Sequence, residues 1–238
     1  MIHILMFIAG CCIGSFINVV LSRRDWYRGR SRCDHCGYVL KWYDLVPIVS
    51  FVCLGGKCRN CRERIEPSHI MSELFMGGAF LCSSLVISSH GIWYGTLCFV
   101  SLFFIAFAAI EDFKEQMVYS WILSAGIVSA YLAKLCVCIK FAQVNEAVII
   151  TVSVIMIKGL VIIFSRVLRN KIGEGDFDIL IIMYILCGVY NTVLSVVIAC
   201  VLGIAVYLPQ IIMKKRDKNE PLPLVPFLLA GTICNMLL

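Results

Sequence analysis

Long apolar runs recur along the whole chain, each closed by a short polar or charged stretch. Runs of about 18 or more such residues mark helices that cross a bilayer. Eight segments emerge, at 2–21, 70–89, 92–110, 117–139, 147–168, 177–189, 192–213 and 222–238. The sixth and seventh are separated only by GVYNT, residues 188–192. Fused, they would give a run from 177 to 213, far beyond the roughly 20 residues that one crossing needs. A short turn at Gly188–Asn191 is therefore expected. The pattern predicts an all-α integral membrane protein, a bundle of about eight transmembrane helices. Residues 1–21 form the first helix, 22–69 a small loop domain, and 70–238 a seven-helix core.

Composition agrees. Of 238 residues, 61% are hydrophobic and 15% charged, and the mean hydropathy is +0.91. A soluble domain would carry about 25% charged residues. The first apolar run has no basic segment before it and no small-residue cleavage pattern after it, so it is expected to be retained rather than removed as a signal. Charge then sets the expected orientation, because Lys and Arg stay on the cytoplasmic side. With the N-terminus outside, ten basic residues fall in the 22–69 loop. Lys114 follows the third span; Arg166, Arg169 and Lys171 follow the fifth; Lys214, Lys215, Arg216 and Lys218 follow the seventh. That places 18 of the 21 on one face. The loop domain is therefore expected on the cytoplasmic side of a cell membrane.

Most of the fourteen cysteines sit singly in apolar runs, where a small buried hydrophobe is the ordinary role. The loop is different. It contains Cys33-x-x-Cys36 and Cys58-x-x-Cys61 with 21 residues between the pairs. Two such pairs can offer four thiolates tetrahedrally to Zn²⁺, which prefers that geometry and those ligands. Gly37, Gly55 and Gly56 suit the tight turns such a site needs, and the surrounding Lys and Arg help to keep thiolates ionised. Disulfides are disfavoured in a reducing compartment. Cys53 and His35 could also ligate, but their spacing gives no reason to prefer them. Four sulfurs leave no open position for a substrate, so the expected role is structural, with the metal contributing to folding.

Carboxylates also gather at one membrane face. Asp112, in FAAIEDFKEQMVYSW, closes the third span, and Asp176, in GEGDFD, opens the sixth. If those helices are neighbours, the two acids can face each other. Two close carboxylates cannot both ionise easily, so the pair shares one proton. One member can then act as general base on water while the other, protonated, polarises a peptide carbonyl. Gly173 and Gly175 would let the backbone turn sharply and a substrate strand come close. Acids at span ends are also common as helix caps. Glu111, Glu115, Glu174 and Asp178 stand at the same boundary, so topology alone does not select two of them.

The sequence resembles the type IV prepilin peptidase family, the membrane aspartic proteases with a GxGD motif. The resemblance runs through GSFINVVLSR (14–23), WYDLVPIVS (42–50), GGKCRNC (55–61), RIEPSHIMSEL (64–74), IEDFKEQMV (110–118) and GEGDFD (173–178), in that order. It implies that Asp112 and Asp176 are the catalytic pair. The implied substrates are prepilins or pseudopilins, with a basic leader cut at the cytosolic border, typically after a Gly. Glu111, Glu174 and Asp178 would then attract that leader. Many members also methylate the new N-terminus with S-adenosylmethionine, although no residues here independently mark a methyl-donor pocket. Pilus or secretion machinery, and the bilayer itself, are the other implied partners; nucleic acid is not expected.

Two departures stand out. The family usually has Lys two residues after the motif Asp, where this chain has Asp178, and a Pro-Asp downstream of the first Asp, where it has VYSW. Lys158, mid-span in the fifth segment, could supply the missing cation near the pair. A transporter or proton relay built on membrane carboxylates is the alternative function, as is a zinc-stabilised scaffold without catalysis. Against transport, the acids cluster at one face rather than forming a path across.

Overall fold

The computed structural model describes residues 1–22, 30–167, 174–213 and 222–237; for 162–167 and 174 it describes the backbone alone. It is a helical bundle. Helix α1 is Ile2–Ser22, and α2, in the loop domain, is the short Val49–Cys53. The bundle continues with α3 (Pro67–His90), α4 (Ile92–Glu115), α5 (Ser120–Lys140), α6 (Val144–Val167), α7 (Glu174–Ile212) and α8 (Val225–Leu237). Among the described residues no strand forms, and six helices are long and apolar enough to cross a membrane.

The expected break between the sixth and seventh segments is narrower than the sequence suggests. α7 is helical on both sides of Gly188, which alone leaves helical geometry at φ 79° and ψ 174°. Glycine reaches positive φ without a Cβ penalty, so one residue suffices where four were expected. The contacts show that the chain reverses there. The first arm lies beside α6, joined by Ser153 Oγ to Tyr184 OH at 2.7 Å and by an ion pair of Lys158 with Asp178. The second arm returns antiparallel to α8. Asn235 Nδ2 donates to the Asn191 carbonyl at 3.0 Å, and Phe227 packs edge-on to Tyr207 at the other end. Counting both arms, the described residues form a bundle of eight rods.

Close approach of α1 to α3 depends on small residues. A Cβ on Gly14 would lie 2.2 Å from the Ser72 carbonyl oxygen, and one on Gly10 2.6 Å from that of Met76. Helices that meet in lipid gain mainly from such backbone proximity, because hydrocarbon offers no hydrophobic drive between them. Pro67 opens α3 at a position where its missing N–H costs nothing. α4 is the central rod, with Leu102, Ile105, Ala106 and Ala109 wholly buried against Met76, Leu123, Ile182 and Leu229 from its neighbours. α6 is peripheral. None of its described side chains is buried, and Tyr131 OH to Thr151 Oγ1 at 2.8 Å adds a further polar tie to α5.

Connectivity sorts the rod ends into two faces. Ser22, Pro67, Asp112, Ser120, Asp178 and Val225 lie at the face that carries the loop domain. His90, Lys140 and Val144 lie at the opposite one, and the Gly188 reversal points toward it. The loop domain docks onto the bundle through Glu73 of α3, whose Oε2 accepts the Ile48 N–H at 2.7 Å. Within the domain, Arg59 Nε donates to buried Asp44 at 2.9 Å and its guanidinium covers the Tyr43 ring.

Candidate active site and four-cysteine centre

The four sulfurs of Cys33, Cys36, Cys58 and Cys61 lie within 4.8 Å of one another. They are held by two turns of the same design. In the first, the Cys33 N–H bonds to Tyr38 O at 2.9 Å, the Gly37 N–H to Cys33 O at 3.0 Å, and Arg32 bridges Val39. In the second, the Cys58 N–H bonds to Glu63 O at 2.8 Å, the Arg62 N–H to Cys58 O at 3.0 Å, and Lys57 bridges Arg64. The left-handed position is Gly37 in one turn and Arg62 in the other. Gly55 and Gly56, expected to serve the second turn, also have positive φ but stand ahead of it. Cys53 and His35 are outside the cluster of four.

The sulfurs hold protons unequally. The Tyr38 N–H, helped by the Asn60 side chain, brings Cys36 down to about 6. The Cys61 N–H lowers Cys58. Cys61 itself receives the Glu63 N–H, which lowers it, but desolvation and the three neighbouring sulfurs outweigh that and push it up to about 12. A cluster of thiolates competing for protons is what a divalent cation resolves, and donor type, number and mutual distance fit Zn²⁺.

The carboxylates lie at the same face of the bundle. Asp112 is in the last turn of α4 and Asp176 in the first turn of α7; both are partly buried, and they interact electrostatically. Gly175 lies within the α7 helix rather than at a sharp turn; a Cβ there would meet Leu123 at 3.4 Å. Gly173 lies outside the described residues, as does the side chain of Glu174. Glu111 turns inward. It is 1% exposed, and its Oε2 accepts the Tyr119 N–H at 3.3 Å, tying α4 to the start of α5. Asp178 is buried and pairs with Lys158. The mid-span lysine thus answers the unusual acid two residues beyond Asp176.

Two features carry no signature in the residue types. The Val225 N–H, at the start of α8, donates to Asp112 Oδ2 at 2.9 Å. A backbone donor cannot be read from side-chain identity, although Pro223 and Pro226 do mark a helix start. The other feature is Asn18, fully buried between His69 (Nδ2 to Nδ1, 3.1 Å) and Lys114 (Nζ to Oδ1, 3.4 Å). Lys114 also reaches Ser22, so α1, α3 and α4 are joined by one polar cluster two residues from Asp112.

Comparison with known proteins places this arrangement. Residues 8–87 match the bacterial peptidase A24 N-terminal domain, and residues 97–208 match the type IV leader peptidase family. The prepilin leader peptidase/N-methyltransferase of Burkholderia pseudomallei (strain K96243) is 29% identical, over 94% of this chain and 81% of its own length. That of Vibrio cholerae (strain N16961) is 28% identical over 82% and 83%. That of Myxococcus xanthus is 40% identical over 81 residues, 32% of this chain and 24% of its own. No solved structure matches. The two matched regions between them take in α1, the four-cysteine domain and the helices bearing both aspartates, and on that ground the chain belongs to the type IV leader peptidase family.

Proposed function

We propose that this protein is a membrane aspartic endopeptidase that removes the basic leader from prepilins or pseudopilins, with Asp112 and Asp176 as its catalytic pair. The observation that carries the reading is their convergence: two helices distant in sequence bring carboxylates to one end of the bundle, near enough for the charge of Asp176 to act on Asp112. The ionised member takes a proton from water as its oxygen adds to the scissile carbonyl carbon. The protonated member gives its proton to the carbonyl oxygen. The tetrahedral adduct then collapses, the C–N bond breaks, and the nitrogen leaves as an amine with a returned proton. Glu111 and Asp178 act in this reading as positioning residues, one fixing α5 and the other α6, rather than as leader contacts.

Cys33, Cys36, Cys58 and Cys61 would hold a structural Zn²⁺ that stiffens the docked domain. The excess of Lys and Arg at the same face supports a cytoplasmic site, where a leader would meet the enzyme before its apolar helix enters the bilayer. The names of the relatives include N-methyltransferase. A cavity of about 650 Å³ between the four-cysteine domain, α1 and α3 has the size of a small-molecule site. Glu66 and Glu73 in its wall suit a cationic donor such as S-adenosylmethionine, which would supply the methyl group for the new N-terminus.

The test is cleavage of a purified prepilin with a basic leader in detergent or liposomes. Asp112→Asn and Asp176→Asn should each lower the rate by about a thousandfold or more. Processing that survives either change removes that residue from the mechanism.

A further inference from the structure

The first backbone N–H of a helix has no partner inside that helix. In α8 that group belongs to Val225, and its acceptor is Asp112 of α4. The Leu224 N–H interacts more weakly with the same carboxylate. Pro226 follows and has no N–H to offer. Lys114, the cation nearest in sequence, is engaged by Asn18 and Ser22. Among the described residues none donates a hydrogen bond to Asp176.

The helices that carry the two acids act on them oppositely. Asp112 sits at the C-terminal end of α4, where the helix dipole disfavours an anion; Asp176 sits at the N-terminal end of α7, where the dipole favours one. Left to their own helices, Asp176 would hold the charge. A direct N–H to a carboxylate is stronger than the field of a helix end, so α8 reverses that order. We propose that the N-terminus of α8 is a working part of the catalytic pair: the Val225 N–H positions Asp112 and keeps it ionised, so that Asp112 accepts the proton of water and Asp176 carries the shared proton. This assignment rests on the reading of Asp112 and Asp176 as the pair and adds which acid does what.

Chemical labelling distinguishes the two roles. A carboxylate opens an epoxide, whereas a carboxylic acid is esterified by a diazo compound. Purified wild-type protein treated separately with a nitrophenoxy epoxide and a diazoacetyl ester, then mapped by mass spectrometry, should carry the epoxide on Asp112 with about tenfold preference. The diazo label should fall on Asp176. Val225→Pro deletes the donor at a helix position that favours proline, after a residue already outside the helix. In that variant the epoxide preference should vanish and kcat should fall about tenfold with KM unchanged; Val225→Ala, which keeps the N–H, should retain both. Epoxide on Asp176, on both acids equally or on neither overturns the assignment. So does a Val225→Pro protein with wild-type kcat and labelling. If Val225→Pro does not fold, the wild-type labelling decides alone. Reversed labels with Asp112→Asn and Asp176→Asn both inactive would overturn this inference only, whereas cleavage by either Asn variant would overturn the pair itself.

Discussion

Lys158 and Asp178 neutralise each other half a turn from Asp176, where both helices run into apolar sequence. An ion pair in apolar surroundings contributes little over a good apolar contact, but half of one is expensive, because the survivor is left unpaired. Lys158→Met or Asp178→Asn should therefore cost about 3–5 kcal/mol of stability, read as a lower melting temperature in detergent. Exchanging both, as Lys158→Asp with Asp178→Lys, should recover most of that loss and retain cleavage. A double exchange no better than the single changes would show that the pair is incidental. This contact also marks a limit of sequence reading. The sequence placed Lys158 in an apolar run and Asp178 where the family resemblance implies a Lys. It did not show that the two meet, because that depends on the register of α6 against α7, which a uniformly apolar helix does not encode. Glu111 is similar: its place at a span end suggested a cap or a contact for the leader, and only the packing of α5 turns it inward.

At the scale of elements, the four-cysteine domain was the most legible part of the chain, because thiolate geometry constrains spacing tightly. Its two turns repeat one hydrogen-bond pattern, yet their sequences share little beyond the cysteines, so the repetition appears only in the backbone. The sulfur proton affinities give a pH dependence with a definite sign. Cys36 is depressed to about 6 from an ordinary 9.0, so its thiolate favours the folded domain fully above pH 9 and loses that effect as pH falls through 6. Cys61 is raised, so it still holds a proton that zinc must displace at neutral pH. Zinc affinity should therefore fall on acidification, with about one more proton displaced per metal below pH 6 than above it. Competition against a colorimetric chelator across that range measures the slope; an unchanged slope would contradict the thiolate assignment. The long helices were also legible, with ends displaced by a few residues. The α7 reversal was the exception in kind, since one glycine replaced an expected four-residue turn.

Over the whole molecule, the distribution of Lys and Arg makes a prediction about sidedness. An amine-reactive reagent that cannot cross membranes, applied to intact cells, should modify exposed Lys140 and spare exposed Lys57 of the four-cysteine domain. Permeabilised cells should show both. The opposite pattern would place the aspartates on the outer side.

Rod lengths have a consequence for the surrounding lipid. From Gly91 to Asp112, α4 rises about 31 Å, but from Gly188 to Asp176 the first arm of α7 rises only about 18 Å. With Asp112 and Asp176 at the same end of the bundle, the Gly188 hairpin stops about 13 Å short of the level where α4 begins, near the depth of Cys98, whose thiol feels the neighbouring Cys187. Lys134 and Glu146 face each other 4.0 Å apart near the start of α6, as charges do where water can reach. The far leaflet must therefore dimple inward on that flank. An enzyme that pinches its bilayer pays more elastic energy as acyl chains lengthen. Cleavage should consequently slow in vesicles of long-chain lipid relative to short-chain lipid at equal fluidity, and a rate indifferent to thickness would mean the hairpin tilts to reach the surface instead.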